Sequence, residues 1–191
     1  NTINYISNWI KDYVSSLDFQ PVSLVIGVSG GIDSAVTSAL CAKTGFKTIA
    51  VSMPIKQNST QHDLSLKHLD WLKKNFENVE TQIIQLDNLF QSFEHTMKDF
   101  NSSLAFANSR SRLRMVTLYQ IAQANRGIVV GTGNKVEDFG VGFYTKYGDG
   151  GVDISPIADC TKTQIWEMGK NLGIIKEIID AEPTDGLWDD G

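Results

Sequence analysis

Residues 22–45 constrain the fold of this 191-residue chain more than any other stretch. Val22-Ser23-Leu24-Val25-Ile26 is apolar and β-branched, the pattern of a buried strand. Ser34 to Lys43 is mostly small and apolar, which predicts a helix that ends at Gly45. Between the two lies Gly27-Val28-Ser29-Gly30-Gly31-Ile32-Asp33-Ser34, a glycine-rich turn from a strand into a helix N-terminus. Backbone N–H groups in such a turn point outward unpaired, and the helix dipole adds partial positive charge. Gly30 and Gly31 let a large anion approach the backbone and permit positive φ. Ser29 and Ser34 can add hydroxyl donors. The turn is therefore read as a phosphate cradle. It is neither GxxxxGKS/T nor GxGxxG, since no lysine follows the glycines. The plain alternative is an ordinary turn with Asp33 or Ser34 as N-cap.

Strand and helix patterns alternate along the rest of the chain. Ile3, Ile6, Ile10, Tyr13, Val14 and Leu17 fall on one side of an amphipathic helix over 3–17, whose apolar face must dock on the sheet or on another subunit. Strands are expected at 48–53, stopped by Pro54, at 81–86 and at 128–131. Helices are expected over 60–76, from a cap at Asp87 or Asn88 to about Lys98, over 109–125 with Gly127 ending it, and over 162–172 with Gly173 as cap. The segment at 101–103 reads as loop. Alternating helix and strand without hairpin signals predicts an α/β fold with a doubly wound parallel sheet. Ligands then bind beyond the carboxyl ends of the strands. That edge carries the 29–34 turn, the residues after Met53 and those after Gly131.

After Gly131 the composition changes, with glycine recurring at 133, 140, 142, 148, 150 and 151. A long glycine-rich stretch in a compact domain is either functional or disordered, and Phe139, Phe143, Tyr144 and Tyr147 argue against disorder. Thr132 puts a hydroxyl beside the ligand edge. Glu137 or Asp138, together with Asp33 across the crevice, would suit one magnesium ion bridged to phosphate oxygens. Two solvated loop carboxylates is the equal alternative. Thr161-Lys162-Thr163-Gln164 has the form of a capping box. It puts Lys162 in a first helical turn, where the dipole opposes a cation by about 0.3–1 kcal/mol. That placement suits a lysine and helix end converging on one anion; a lysine snorkelling into water is the alternative. Arg110, Arg112 and Arg114 open the long helix, and ligand contact and interface both remain open for them. In the 143–153 segment, aromatics with Lys146 and Asp153 suit a planar group bearing hydroxyls; a glycine-rich hairpin is the alternative.

Lys and Arg number 17 against 22 Asp and Glu, a net charge of −5. That balance excludes a general grip on nucleic acid, which needs a basic surface. No run is long and apolar enough for a membrane span, and Asn1-Thr2-Ile3-Asn4 does not open like a signal peptide. Cys41 and Cys160 form neither a CxxC pair nor a disulfide framework, which fits a reducing cytoplasm. His62, His68 and His95 lack metal-site spacing and are expected to be surface or structural.

SGGIDS resembles the pyrophosphate loop of the N-type ATP pyrophosphatases, which cleave ATP between the α and β phosphates. SRLRM at 111–115, GTGNKVED at 131–138, FYTKYGDGGVD at 143–153 and EPTDGLW at 182–188 narrow the resemblance. Taken with the turn they resemble the bacterial ammonia-dependent NAD synthetases, in order and over nearly the whole chain. TKYGDGG is far more specific than SGGxDS.

The resemblance implies a Rossmann-like fold of the adenine nucleotide alpha hydrolase-like kind, in one domain over 1–191. Relatives usually continue past this point in a piece that closes on substrate, so a C-terminal tail is expected beyond it. They also often carry a flexible loop near 99–108. The implied reaction turns deamido-NAD, ATP and ammonia into NAD, AMP and pyrophosphate through an adenylated nicotinate. By motif, Gly27, Val28, Ser29, Gly30, Gly31, Ile32, Asp33 and Ser34 correspond to the ATP turn, and Thr132, Lys162 and Thr184 to further ATP contacts. Arg112, Lys146 and Asp153 correspond to deamido-NAD contacts. Asp33 and Glu137 correspond to Mg2+ ligands, and Asp33 and Lys162 to the catalytic pair. One additional residue between Glu137 and Thr145, relative to several family members, leaves Asp138 as a rival for the metal; the spacing from Thr132 favours Glu137.

The nitrogen source is expected to be free ammonia or ammonia from a separate protein, because neither cysteine has a histidine beside it in sequence. A homodimer with a shared substrate site is implied, with helices 3–17 and 109–125 as candidate interfaces. Rival readings are another ATP pyrophosphatase, GMP synthetase-like or tRNA-modifying, and a non-catalytic nucleotide-binding module. A tRNA-modifying enzyme would show a basic surface or additional metal-binding cysteines. A binding module would not need Asp33, Glu137 and Lys162 together.

Overall fold

The computed structural model describes residues 1–142 and 144–183. In chain order the elements are α1 (Thr2–Ser15), β1 (Ser23–Gly27), α2 (Ile32–Lys43), β2 (Thr48–Ser52), α3 (Ser59–Asn75) and β3 (Val79–Ile83). There follow α4 (Asp87–Thr96), α5 (Ser103–Ala124), β4 (Gly127–Val130), α6 (Lys162–Leu172) and α7 (Lys176–Ile179). A π-helical turn spans Val136–Val141. The four strands lie parallel in the order β3-β2-β1-β4, and Ile154 bridges Val130 beyond β4 in the same sense.

Strand residues alternate between two cores, as a sheet covered on both faces requires. Leu24, Ile26, Ala50, Ile128 and Val130 pack with buried residues of α1, α2, α3 and α6. Val25, Ile49, Val51 and Val129 pack on the other face with Phe90 of α4 and Ala122 of α5. The doubly wound parallel sheet is therefore present. Its order reverses beside β1, with β2 on one side and β4 on the other, and this switch point opens a crevice at the carboxyl ends of the strands.

Several local expectations shift. The apolar face of α1, Ile3, Ile6, Ile10 and Val14, docks within the chain, in the core shared with α2. α1 ends at Ser15, and Tyr13 turns outward to stack on Trp9. β3 starts two residues earlier than expected because Val79 pairs with Thr48 at the sheet edge. On an edge strand with only partial burial, pairing sets the limits and the apolar pair Ile83-Ile84 does not. α4 is capped by neither Asp87 nor Asn88: Leu86 holds the cap position, and the Asp87 carboxylate accepts the backbone N–H of Lys56 at 2.8 Å. α5 begins at Ser103, because the Ser102 side chain accepts the N–H of Ala105 and caps it. The segment around 103–108 is therefore helical. Gly127 does not end α5; Arg126 takes the left-handed position at φ 52° and Gly127 opens β4. α6 matches from Lys162 to the Gly173 cap, and its capping box is formed.

Candidate active site

The crevice encloses about 1170 Å³ and is lined by the 27–34 turn, the residues after β2, one side of α5 and the loop after β4. α2 enters it with a bare N-terminus. Gly31 is the N-cap and no side chain caps the helix, so its first N–H groups lack helical acceptors. Of the two glycines at its entry, Gly30 has positive φ, at +95°, and Gly31 is extended. A Cβ on Gly30 would lie 2.5 Å from the Gln61 carbonyl oxygen, so α3 crosses tightly behind the turn. A Cβ on Gly31 would meet nothing nearer than Ser29 Oγ at 3.5 Å.

The serines act inside the turn. Ser34 is buried, accepts the Ser29 N–H at 3.1 Å and donates to the Gly31 carbonyl at 3.3 Å. Ser29 Oγ accepts the Gly31 N–H at 3.3 Å. Both hydroxyls thus hold the turn's backbone in shape, and Ser29 is exposed at its outer side. Gln57 adds a clamp from outside, donating to the Ser29 carbonyl at 3.1 Å.

Asp33 is the second residue of α2. Its Oδ2 accepts Lys162 Nζ at 2.6 Å and Asn134 Nδ2 at 3.4 Å, while Oδ1 is buried with no partner among the described residues. Asn134, itself buried, turns its Oδ1 to the N–H groups of Val136 and Glu137. It thereby ties Asp33 to the start of the π-helical turn. Burial pushes the Glu137 carboxyl above its usual range, and the Asp33 charge adds to the rise. Asp138 lines the same crevice, with its carboxylate over Gly133, and its pKa is pushed up by burial and then by Asp149.

Among the described residues no group of three His, Cys, Asp or Glu side chains would hold a metal alone. An orphaned carboxylate oxygen on Asp33 beside a charge-burdened Glu137 nevertheless fits a hard divalent cation. Magnesium is commonly held by one or two carboxylates, with substrate phosphates and water completing its octahedron.

Lys162 points into the crevice with its ammonium 5.3 Å from the centre of the Trp166 ring. It does not snorkel away. Beside it the α6 terminus carries the capping box, in which Thr161 and Gln164 bond each other's backbone N–H. Thr132 and Glu137 also line the crevice. Thr184 lies outside the described residues.

Arg112, Lys146 and Asp153 do not line this crevice. Arg112 Nε donates to the Lys146 carbonyl at 3.0 Å, and the Lys146 ammonium sits 5.1 Å from the Tyr147 ring centre. Asp153 accepts the Tyr119 hydroxyl at 3.0 Å and the Val129 N–H at 2.8 Å. Burial, followed by Asp153, pushes the Tyr119 phenol up to about 12. Arg112 and Tyr119 stand seven residues apart on α5, so the 144–153 loop is tied to one helix side. That loop packs closely, since a Cβ on Gly148 would lie 2.4 Å from Ser111 Oγ.

Sequence reasoning missed Asn134, whose position after a turn glycine signals a cap and says nothing of Asp33. Gln57 gave no local sign either. Arg114 reaches the Met53 carbonyl at 3.0 Å and lines the crevice, its guanidinium lowered by burial to about 10. That partner was not legible, because 61 residues separate the two in sequence. Cys41 is fully buried in α2, and burial pushes its thiol to about 12, which excludes it as a nucleophile.

Known proteins resemble this chain in sequence and fold. The NAD synthase family model matches residues 2–191. An NH(3)-dependent NAD(+) synthetase of Mesoplasma florum is 37% identical over 98% of this chain and 75% of its own length. The structure of an NMN synthetase from Francisella tularensis superposes with a TM-score of 0.88 at 35% identity, covering 98% of this chain and 76% of that one. An NH3-dependent NAD synthetase from Campylobacter jejuni gives 0.82 at 27% identity, covering 93% and 75%. The chain thus spans about three quarters of these relatives. With the switch-point crevice, the bare helix end and a family match that runs from α1 to the last residue, the chain belongs to the NAD synthase family.

Proposed function

We infer that this protein makes NAD from deamido-NAD, using ATP and ammonia and releasing AMP and pyrophosphate. The observation that carries the reading is the meeting of Asp33, Lys162 and Glu137 in front of the uncapped end of α2. Its membership of the NAD synthase family supports the same conclusion.

The reaction needs no protein nucleophile. The nicotinate carboxylate attacks the α-phosphorus of ATP, and the α–β bridging oxygen leaves with pyrophosphate. Ammonia then attacks the acyl carbon of the adenylate, AMP leaves, and the nitrogen sheds a proton. Such steps depend on placement and charge neutralisation. The backbone N–H groups of residues 29–34 receive phosphate oxygens, with Gly27, Val28 and Thr132 beside them. Lys162 neutralises charge on the departing pyrophosphate. Asp33 and Glu137 hold Mg2+, which supplies positive charge to the phosphates when bound. Thr184 is a further ATP contact, and Arg112, Lys146 and Asp153 are contacts for the dinucleotide. With Cys41 sealed in the core, the nitrogen arrives as ammonia. A cytoplasmic homodimer completes the reading; the two free buried cysteines fit a reducing compartment.

A second acceptor is favoured by one observation, the 35% identity to an NMN synthetase. The corresponding acid is nicotinate mononucleotide, which offers the same carboxylate without the adenylyl half. Incubation with ATP, Mg2+ and ammonium, with either acid supplied, separates the two. Pyrophosphate and NAD formed with deamido-NAD at higher kcat/KM bears out the main reading. Release with the mononucleotide alone transfers the reaction to it, and release with neither acid sinks both.

A further inference from the structure

Lys162 in this structure is already paired. Its ammonium sits 2.6 Å from Asp33 Oδ2, and the two side chains are only 30% and 18% exposed. Asn134 donates to the same oxygen, so that side of the carboxylate is filled while Oδ1 stays buried and without a partner among the described residues. Glu137 stands close enough to feel both charges, Asp33 raising its pKa and Lys162 lowering it. Two carboxylates and one ammonium therefore share one shielded pocket. A divalent cation seated on Asp33 beside that ammonium would meet a like charge at short range. A nucleotide changes the balance. Phosphates bound at the bare end of α2 arrive directly next to Asp33 and offer Lys162 a more highly charged partner. The capped start of α6 fixes the lysine backbone, so the flexible four-carbon stem makes the exchange alone.

We propose that Lys162 is the resident counter-ion of Asp33, holding the metal site closed until nucleotide phosphates draw its ammonium away, so that metal and nucleotide binding are coupled. The proposal rests on the reading of Asp33 and Glu137 as metal ligands. Lys162 then has two successive partners, Asp33 in the empty enzyme and a phosphate in the loaded one.

The test is Mn2+ binding to the full chain without nucleotide, followed by the electron paramagnetic resonance signal of free Mn2+. Lys162→Met and Lys162→Gln, which keep the stem, are expected to bind Mn2+ at least about tenfold tighter than the unmodified protein. The double variant Asp33→Asn, Lys162→Met is expected to lose that gain. Equal or weaker binding by both lysine variants overturns the proposal. So does a gain that survives Asp33→Asn, because the cation then sits elsewhere. The unmodified protein with a non-hydrolysable ATP analogue tests the underlying reading separately. Mn2+ held there beyond what the analogue alone binds, and lost in Asp33→Asn, bears out the ligand assignment even if the lysine variants gain nothing. No such Mn2+ removes the ligand assignment and the proposal together.

Discussion

Asp33 stands in the first turn of α2, where the helix dipole favours a carboxylate, yet its nearest cation comes from 129 residues further along the chain. The residue types at this site were legible from sequence. An aspartate inside a phosphate turn and a lysine in the first turn of a capped helix each have a local oddity that asks for a partner. That the two partner each other was not legible, because nothing in either neighbourhood refers to the other. Asp33→Asn is expected to cut turnover by about 10²-fold or more with an unchanged circular dichroism spectrum. Unchanged turnover removes its role. Glu137 yields a pH-linked prediction. Its folded pKa is raised, so the ionised carboxylate opposes folding, and that cost appears as pH rises through the folded value. Glu137→Gln should therefore melt higher than the unmodified protein near neutral pH without metal, and Mg2+ with nucleotide should narrow the gap. A lower melting temperature in the metal-free variant contradicts this.

At the scale of elements, the phosphate turn divides its two glycines between two tasks. Gly30 carries the positive φ and lies against the Gln61 carbonyl, so it serves the packing of the turn on α3. Gly31 has an ordinary backbone and open space at its Cβ, so it serves whatever approaches the helix end. Gly30→Ala is expected to destabilise the fold by about 1–3 kcal/mol in urea titration. Gly31→Ala should leave stability within about 0.5 kcal/mol and raise the KM for ATP. The reverse pattern would contradict this division. Helix ends set by residues next in sequence, as at Thr161, Gln164 and Gly173, were legible. Ends set by distant groups were not. Asp87 is a good local cap, and it serves Lys56 because β2 and α4 bring that N–H to it.

The whole molecule has a titratable group in its core that the chemistry does not use. His68 of α3 is fully buried, with Nε2 2.8 Å from Ser38 Oγ of α2, and the Ser38 hydroxyl also lies 3.0 Å from the Ala35 carbonyl. With the serine donating to that carbonyl, Nε2 carries the imidazole proton, a tautomer assigned from this network. Burial lowers the His68 pKa from 6.5 to about 4. The unfolded chain therefore takes up a proton that the folded chain refuses between those values. This contribution is intact above pH 6.5 and is lost on the way down to about 4, by up to ~1.4 kcal/mol per pH unit. His68→Gln should flatten that part of the stability profile in urea titrations at a series of pH values, and an unaltered slope would contradict it. Assembly gives the other prediction at this scale. Light scattering should report twice the 21.1 kDa of the chain. Val116→Glu, on the outward side of α5 that also carries Arg112, should return the single-chain mass; a dimer that survives it places the contact elsewhere.

The sequence by itself determined the alternation of strands and helices, the parallel sheet, the edge at which ligands bind and the anion-ready turn at residues 29–34. Those follow from periodicity, turn chemistry and helix capping, which act over a few neighbouring residues. Only the tertiary structure decided that Lys162 and Asn134 close on Asp33, that the Asp138 carboxylate lies over Gly133, and that Arg112, Lys146 and Asp153 stand outside the crevice. Each of these depends on which chain segments the sheet order brings side by side, and no local pattern of residues encodes that meeting.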